Sequence, residues 1–212
     1  MRLLVALTAL ASLSHCGPPA QSAAALRPPD ETQAIALGLE TAYFAGGCFW
    51  CMEKPFEQLD GVGAVVSGYI DGRVDEPTYR QVSRGSTGHA EAIRVVYDPA
   101  TITYAQLLEV FWRNIDPADD GGQFCDRGSQ YRTGIFVRND EERVQADASK
   151  RAAESELGQR IVTPITSATY FYDAEEYHQD YYRTNPTRYN RYRSGCGRDR
   201  RLRELWGAAA SH

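Results

Sequence analysis

The sequence of 212 residues lacks several features that would place it in a specialised class of protein. Its 18 glycines and 10 prolines follow no repeat, which excludes collagen-like and solenoid architectures. Lysine is scarce, since only Lys54 and Lys150 occur, and we attribute this bias to genome composition. Five cysteines are too few for a disulfide-built miniprotein, and an odd number cannot all pair within one chain. What remains, 42% apolar and 24% charged residues, predicts a globular chain with one ordinary domain.

The amino-terminal residues 1–16 are predicted to be an export signal. The apolar run Leu3–Leu13 has 11 residues, whereas a membrane-spanning helix needs about 20, so the run fits the core of a signal peptide. Residues 17–39 are rich in Ala, Pro, Gln and Ser and are predicted to form a flexible tether. The catalytic domain is therefore expected at residues 40–212, in an exported, periplasmic protein.

The end of the export signal leaves two alternatives open. Leu13-Ser14-His15-Cys16 resembles the lipobox of bacterial lipoproteins, in which the cysteine becomes the lipidated first residue of the mature chain. His15 departs from that pattern, because Gly, Ala or Ser is expected before the cysteine. Lipidation of Cys16 would tether the protein to a membrane, whereas ordinary cleavage within Ala20–Ala25 would release it.

Alternating strand and helix patterns predict the fold class. Strand patterns occur at 41–45, 62–70, 92–97, 133–137, 161–165 and 168–172, and helical patterns at 48–59, 104–115 and 141–157. The order β-α-β-β-α-β with additions predicts an α+β roll, similar to a ferredoxin-like core, with helices on one face of a mixed sheet. The long carboxyl-terminal segment is expected to be largely irregular.

Cys48 is the strongest candidate for a reactive residue. Gly46-Gly47 separates the first strand from the first predicted helix and allows a tight turn. Cys48 is then expected in the first turn of that helix, where the positive end of the helix dipole lowers the pKa of a thiol. The alternative is a buried cysteine that behaves as a small apolar residue.

Cys48 and Cys51 form a C-x-x-C pair, which by itself predicts a thioredoxin-type redox site or half of a zinc site. No metal is expected, because Cys125 and Cys196 stand alone in the sequence. The bulky pair Phe49-Trp50 lies between the two cysteines and indicates a pocket for a small apolar group rather than a surface that docks many protein disulfides.

Charge is distributed unevenly along the chain. Residues 183–212 carry a net charge of +6, whereas the preceding residues carry −11. A basic, tyrosine-containing end could contact nucleic acid, or it could dock on the acidic body of its own chain. We expect it to dock on its own chain, and we expect no nucleic-acid partner.

Several motifs together resemble one family, the A-class peptide methionine sulfoxide reductases. Gly47-Cys48-Phe49-Trp50 matches its G-C-F-W signature. Further blocks resemble the family in the same order, namely residues 76–80, 88–92, 96–99, 128–132, 177–181 and 185–186. The resemblance covers about residues 41–206, nearly all of the chain after the predicted tether.

The resemblance implies a function and roles for individual residues. Members of the family reduce the S epimer of methionine sulfoxide, free or in proteins, and so repair oxidised proteins after oxidative stress. Cys48 would attack the sulfoxide sulfur, and Glu91 would protonate its oxygen, for which burial should raise the pKa of Glu91. Tyr79 and Tyr131 would donate hydrogen bonds to the oxygen, and Asp126 would help to order this oxygen site.

The remaining implications concern the substrate pocket and the fate of the oxidised cysteine. Phe49 and Trp50 would hold the S-methyl group. A second thiol must condense with the sulfenic acid that forms on Cys48. The family usually supplies it from the carboxyl-terminal segment, which favours Cys196, although Cys51 lies on the same helix face as Cys48 and is the alternative.

Cys125 is expected to be a bystander. The family binds no cofactor and takes its electrons from thioredoxin or a thioredoxin-like donor. We expect a monomer. Two other hypotheses stay open from the residues alone: a general thiol–disulfide oxidoreductase that uses Cys48 and Cys51, and a non-catalytic, lipid-tethered binding module.

Overall fold

Residues 29–210 are those whose placement the computed structural model describes, and they form an α+β fold. The helices are α1 (Glu31–Ala36), α2 (Trp50–Glu57), α3 (Tyr79–Val82), α4 (Tyr104–Arg113), α5 (Asp140–Leu157), α6 (Tyr181–Thr184), α7 (Pro186–Gly195) and α8 (Arg198–Trp206). The strands are β1 (Glu40–Gly46), β2 (Val62–Ile70), β3 (Ala90–Tyr97), β4 (Gly122–Gln123), β5 (Asp126–Arg127), β6 (Thr133–Val137), β7 (Ile165–Ser167) and β8 (Tyr172–Asp173).

The main sheet has six strands in the order β7-β6-β1-β3-β2-β8. Its central strands β6, β1, β3 and β2 pair antiparallel, as in a ferredoxin-like core. Strand β7 extends the sheet parallel to β6, and β8 extends it antiparallel to β2. The mixed sheet and the ferredoxin-like order predicted from the sequence are therefore confirmed.

The longer helices share one face of the sheet. The larger apolar core contains side chains from α2, α4, α5 and α8, packed against inward-facing strand residues such as Phe44 and Ile93. The opposite face carries a smaller cluster that includes Tyr43 and Phe136, covered by Phe171. This two-sided arrangement confirms the expected placement of the helices, and it puts odd-numbered residues of β3, including Glu91, on the helix side.

Two predicted strands are wrong. Ile161 and Thr163 are buried while Val162 is exposed, so residues 161–163 alternate like a strand. Their backbone nevertheless makes no ladder, since Val162 N–H donates to Pro117 O and Ile161 N–H to Glu154 Oε1. The alternating burial of these residues therefore resembles that of a strand, but no neighbouring strand pairs with them. Residues 168–171 likewise lie outside any strand, and β8 begins at Tyr172.

The carboxyl-terminal segment is helical rather than irregular, which corrects a second prediction. Pro186 opens α7, where its missing N–H group costs nothing. Helices α7 and α8 are polar and rich in arginine, so their sequences lack the wide apolar stripe from which a helix is recognised. The predicted docking on the body is confirmed, because Arg201 pairs with Asp116 and Arg198 is buried.

Part of the predicted tether is also structured. Helix α1 has an Asp30 capping box, buries Ala34 and accepts a hydrogen bond from the Tyr43 hydroxyl group at Glu31. The predicted signal peptide 1–16, including Cys16, and the tether as far as residue 28 lie outside the described residues. Among the described residues, no helix has the length and hydrophobicity needed to span a bilayer.

Candidate active site

The loop between β1 and α2 brings Cys48 into a tightly packed position. Gly47 has φ +83°, and a Cβ atom there would lie 2.5 Å from Gln123 Cβ, so only glycine fits. Helix α2 begins at Trp50, which places Cys48 just before the first turn rather than inside it. The Cys48 carbonyl group accepts the N–H of Cys51 at 3.0 Å and so leads the chain into the helix.

Cys48 and Cys51 are free thiols, 6% and 2% exposed, and they are hydrogen-bonded to each other. Burial raises the pKa of Cys48 well above its usual value, and the neighbouring Cys51 raises it further. The pKa of Cys51 is lowered to about 7 by the hydrogen bond from Cys48 and by the charges of Arg198 and Arg193. Burial therefore opposes the thiolate predicted on Cys48, because the cost of removing the sulfur from water acts against any benefit from the helix end. The two sulfurs share a hydrogen bond, so the first negative charge belongs to the pair.

Two arginines from the carboxyl-terminal helices reach the floor of this site. Pro55 has no N–H group, so the Cys51 carbonyl lacks its usual partner within α2. Arg193 Nη1 donates to that carbonyl at 3.4 Å. Arg198, 2% exposed, donates from Nη2 to the carbonyl groups of Gly46 and Asn114. These contacts explain how a basic terminal segment comes to stabilise negative charge on Cys51.

Glu91 projects from β3 towards the same loop and is 1% exposed. The N–H of Phe49 donates to Glu91 Oε2 at 3.2 Å. Burial raises the pKa of Glu91 to about 8, and the single backbone hydrogen bond lowers it only partly. The predicted rise in this pKa is confirmed, and the carboxyl group is protonated at neutral pH.

Tyr79 and Tyr131 place their phenol groups near Glu91 and Cys48. Burial, and next the charge of Glu91, raises the pKa of Tyr79 to about 12 and raises that of Tyr131 as well. Both phenols therefore keep their protons at neutral pH and can donate hydrogen bonds. Glu175 accepts the N–H of Tyr79 at 2.8 Å and thereby fixes the start of α3. Glu175 lies outside the sequence motifs, two positions before the 177–181 block.

Trp50 and His178 form an aromatic wall beside the cysteines. The Trp50 indole stacks on Tyr181 at 3.7 Å between ring centroids, with Phe49 6.5 Å away. Trp50 Nε1 donates to His178 Nδ1 at 3.1 Å, so this imidazole carries its proton on Nε2. Burial lowers the pKa of His178 to about 4, which keeps it neutral. His178 and Tyr181 lie in the 177–181 block, whose family pattern was visible without a role for either residue.

Asp126 contacts the site through Tyr192. No sequence motif assigned Tyr192 to the site. The Tyr192 hydroxyl group donates to Asp126 Oδ2 and is also hydrogen-bonded to Cys48. Burial raises the pKa of Asp126, while the hydrogen bond from Tyr192 opposes that rise. Tyr192 also packs edge-on against Trp50, with an interplanar angle of 81°. Only the fold brings this tyrosine to the site, so no local motif could have revealed it.

Cys196 is not available to Cys48 in this structure. A disulfide joins Cys196 to Cys125, with a separation of 4.8 Å between their Cα atoms. Cys125 is therefore not a bystander, and the sulfur of Cys196 is bonded to it in this structure. Resolution by Cys196 stays a prediction. The pairing spans 71 positions of sequence, a distance over which spacing alone predicts no partner.

Metal ligation finds little support in the described part of the chain. Cys125, Asp126 and Cys196 are the one group of potential ligand residues close enough together, with ligand atoms within 4.8 Å of one another. Their sulfurs are bonded to each other and so offer no thiolate to a metal.

The assembled features define a class of protein. The site combines a buried thiol pair with a protonated carboxyl group, two protonated phenols and an aromatic wall. This combination defines a thiol-based reductase whose substrate carries a basic oxygen atom on a small group.

Comparisons with known proteins identify the family within that class. The family model for peptide methionine sulfoxide reductase matches residues 40–210. The MsrA of Bacillus subtilis is 52% identical over 171 residues, which are 80% of this chain and 97% of that protein. Reduced Mxr1 from Saccharomyces cerevisiae superposes with a TM-score of 0.68 at 35% identity, covering 71% of this chain and 87% of that one. Mxr1 solved in complex with Trx2 matches with a TM-score of 0.50 at 26% identity, covering 66% and 84%.

The chain belongs to the peptide methionine sulfoxide reductase family. Its activity is that of a peptide methionine sulfoxide reductase, an oxidoreductase.

Proposed function

We propose that the protein reduces methionine-S-sulfoxide, free or in oxidised proteins, with Cys48 as nucleophile and Glu91 as acid. The Cys48 thiol gives its proton to the Cys51 sulfur, and the Cys48 sulfur attacks the sulfoxide sulfur. Glu91 donates a proton to the sulfoxide oxygen. The attack joins the two sulfur atoms. The oxygen then passes to Cys48: a new S–O bond forms there while the substrate S–O bond and the transient sulfur–sulfur bond break, which releases methionine and leaves Cys48 as a sulfenic acid.

The observation that carries this assignment is the protonated, buried Glu91. With a pKa of about 8, the carboxyl group is about nine-tenths protonated at pH 7, whereas an exposed glutamate would be ionised. It is hydrogen-bonded to the backbone of Phe49, the residue that follows Cys48, so acid and nucleophile are held by the same loop. A sulfoxide oxygen leaves only when protonated, which is the chemistry that this geometry supplies.

The surrounding side chains orient the substrate. Tyr79 and Tyr131 donate hydrogen bonds to the sulfoxide oxygen as negative charge develops on it. Asp126 orders this oxygen site through its hydrogen bond with Tyr192. Phe49 and Trp50 hold the S-methyl group, and the Trp50 indole is fixed for this purpose by the ring of Tyr181 and by His178.

Cys51 is the residue that resolves the sulfenic acid. Its thiol is hydrogen-bonded to Cys48, whereas Cys196 is bonded to Cys125. Condensation of Cys51 with the sulfenic acid forms the Cys48–Cys51 disulfide and releases one water molecule. A thioredoxin-like dithiol then reduces that disulfide by thiol–disulfide exchange. The burial of both sulfurs disfavours a general thiol–disulfide oxidoreductase, which must present its pair to many proteins.

The test is turnover of a defined methionine-S-sulfoxide peptide with thioredoxin, compared between two variants. Cys51→Ser should form about one methionine per active site and then stop, with the steady-state rate lowered by two orders of magnitude or more. Cys196→Ser should keep cycling, because its thiol takes no part in resolution. Methionine is measured by chromatography after quenching.

Wild-type protein serves as the reference for both variants. No turnover by the wild type would reject the proposed function. A single turnover by Cys196→Ser together with continued cycling by Cys51→Ser would instead assign resolution to Cys196.

The protein is further proposed to be exported to the periplasm, on the grounds of its apolar amino-terminal run and the lipobox-like sequence that ends at Cys16. Mass spectrometry of the mature amino terminus distinguishes the two forms of processing. We expect a chain that begins after the export segment, either at a lipidated Cys16 or within Ala20–Ala25. A mature chain that retains Met1 would contradict export.

A further inference from the structure

We infer that the Cys125–Cys196 disulfide is a positioning cross-link for the reaction, which holds Tyr192 and Asp126 together beside Cys48. The inference rests on the proposed role of Cys48 as nucleophile. It gives the second cysteine pair a task that is distinct from resolution.

The cross-link lies next to the hydrogen bond that it supports. Cys125 directly precedes Asp126, which accepts the hydrogen bond from Tyr192. Cys196 follows Tyr192 by one helical turn, and its N–H donates to the Tyr192 carbonyl at 2.9 Å. The disulfide therefore joins the chain at both ends of the Tyr192–Asp126 contact, with 4.8 Å between the two Cα atoms.

The two elements that it joins are short. Strands β4 and β5 have two residues each and form a separate small sheet outside the six-stranded one. Helix α7 buries only Tyr189 and Arg193. The turn between β4 and β5 is also contacted from α8, where the Arg198 guanidinium group lies 4.5 Å from the centre of the Phe124 ring. A covalent bond across 71 positions of sequence adds a constraint that such short, polar elements lack.

The position of Tyr192 matters for the chemistry of Cys48. Its hydroxyl group is hydrogen-bonded to the Cys48 thiol and opposes the effect of burial on the pKa of that thiol. Tyr192 also packs edge-on against Trp50, which lines the proposed methyl pocket. Freedom of α7 to shift would disturb both contacts at once. The rate of sulfoxide attack and its dependence on pH should therefore respond when the cross-link is opened.

A single-turnover experiment without added reductant tests the inference. Wild-type protein is prepared with two free thiols, confirmed by alkylation and mass spectrometry, and mixed with methionine-S-sulfoxide peptide. Cys48 and Cys51 supply both electrons as they become a disulfide, so methionine and water form with no external donor. The double variant Cys125→Ser/Cys196→Ser should form methionine about tenfold more slowly, and the rising limb of its pH profile should move to higher pH.

The variant Tyr192→Phe shows whether the cross-link changes the reaction rate through Tyr192. If the cross-link acts through Tyr192, this substitution should slow the reaction to a similar degree, and combining it with the double variant should cost nothing further. Rates of the double variant within about twofold of wild type, with an unchanged pH profile, would overturn the inference. The inference would also be overturned if the rate losses of Tyr192→Phe and of the double variant multiplied when the substitutions were combined.

A second measurement needs no mutation and decides the matter even where a variant folds poorly. Wild-type protein is reduced with a phosphine, which takes up the oxygen of one water molecule as the disulfide becomes two thiols, and is then freed of the phosphine by gel filtration. Protein with four free thiols should release methionine about tenfold more slowly than protein with two. Equal rates would overturn the inference, whereas absence of methionine from both preparations would overturn the proposed function instead.

Discussion

Replacing Cys48 with serine should lower kcat/KM for methionine-S-sulfoxide by a factor of about 10⁴ or more, equivalent to about 5 kcal/mol of transition-state stabilisation. The hydroxyl group nearly matches the thiol in shape, so the buried loop between β1 and α2 should keep its packing. Its proton is far harder to remove, and an uncharged hydroxyl group is a weak nucleophile for sulfur. The measurement is methionine formation with dithiothreitol as reductant, which bypasses the need for thioredoxin.

A matched control for this variant is Cys51→Ser, which changes the other member of the buried pair. It should still complete the first turnover, although without the Cys51 thiolate the Cys48 proton must leave by another route. Thermal unfolding followed by circular dichroism shows whether both variants fold. Activity of a folded Cys48→Ser protein within tenfold of wild type would contradict the assignment of the nucleophile.

Replacing Glu91 with glutamine should lower kcat/KM by a factor of about 10²–10⁴, the usual contribution of a general acid. The wild-type rate should fall as pH rises through about 8, because the acid loses its proton there. At the other end of the profile the rate should rise as the thiol pair ionises, with the pKa of Cys51 at about 7. The variant has no such carboxyl group, so its low rate should lack the alkaline decline. The measurement is kcat/KM between pH 5.5 and 9.5.

Glu53→Gln provides a close control, because Glu53 is a second buried carboxyl group with a pKa that burial raises to about 8. Its carboxyl group accepts hydrogen bonds from Ser67 and from the backbone of Tyr181. The contact of Glu53 with the Cys48 loop is made by its backbone N–H to Phe49 O, which the substitution leaves in place. This variant should keep the alkaline decline with a much smaller loss of rate. If Glu53→Gln removed that decline and Glu91→Gln kept it, the acid would be misassigned.

The residues nearest in sequence to Cys48 were predictable, and those from distant segments were not. Gly47, Phe49 and Trp50 surround the nucleophile because a strand, a glycine turn and a helix start follow one another locally. Glu91 was predictable through its motif, and alternation along β3 places it on the helix side. Tyr192 and the partner of Cys196 depend on how polar, arginine-rich helices pack, which no local pattern encodes.

The ionisation of the thiols was also beyond local reasoning. A helix start beside Cys48 indicates a lowered pKa, but the net effect depends on how deeply the fold buries the sulfur. The cationic groups that do favour a thiolate, Arg193 and Arg198, arrive from the other end of the chain and act on Cys51. Electrostatics of a buried site is thus a property of tertiary structure, even where the motif names every reacting residue.

The burial of the thiol pair sets a condition on recycling. Tyr181 and Tyr189 pack against Cys51, so α6 and α7 cover this member of the pair. Thiol–disulfide exchange needs the incoming thiolate to touch the sulfur that it attacks. A protein donor can therefore act only while this cover is displaced, and the rate of catalytic cycling has an upper limit set by how often α6 and α7 open.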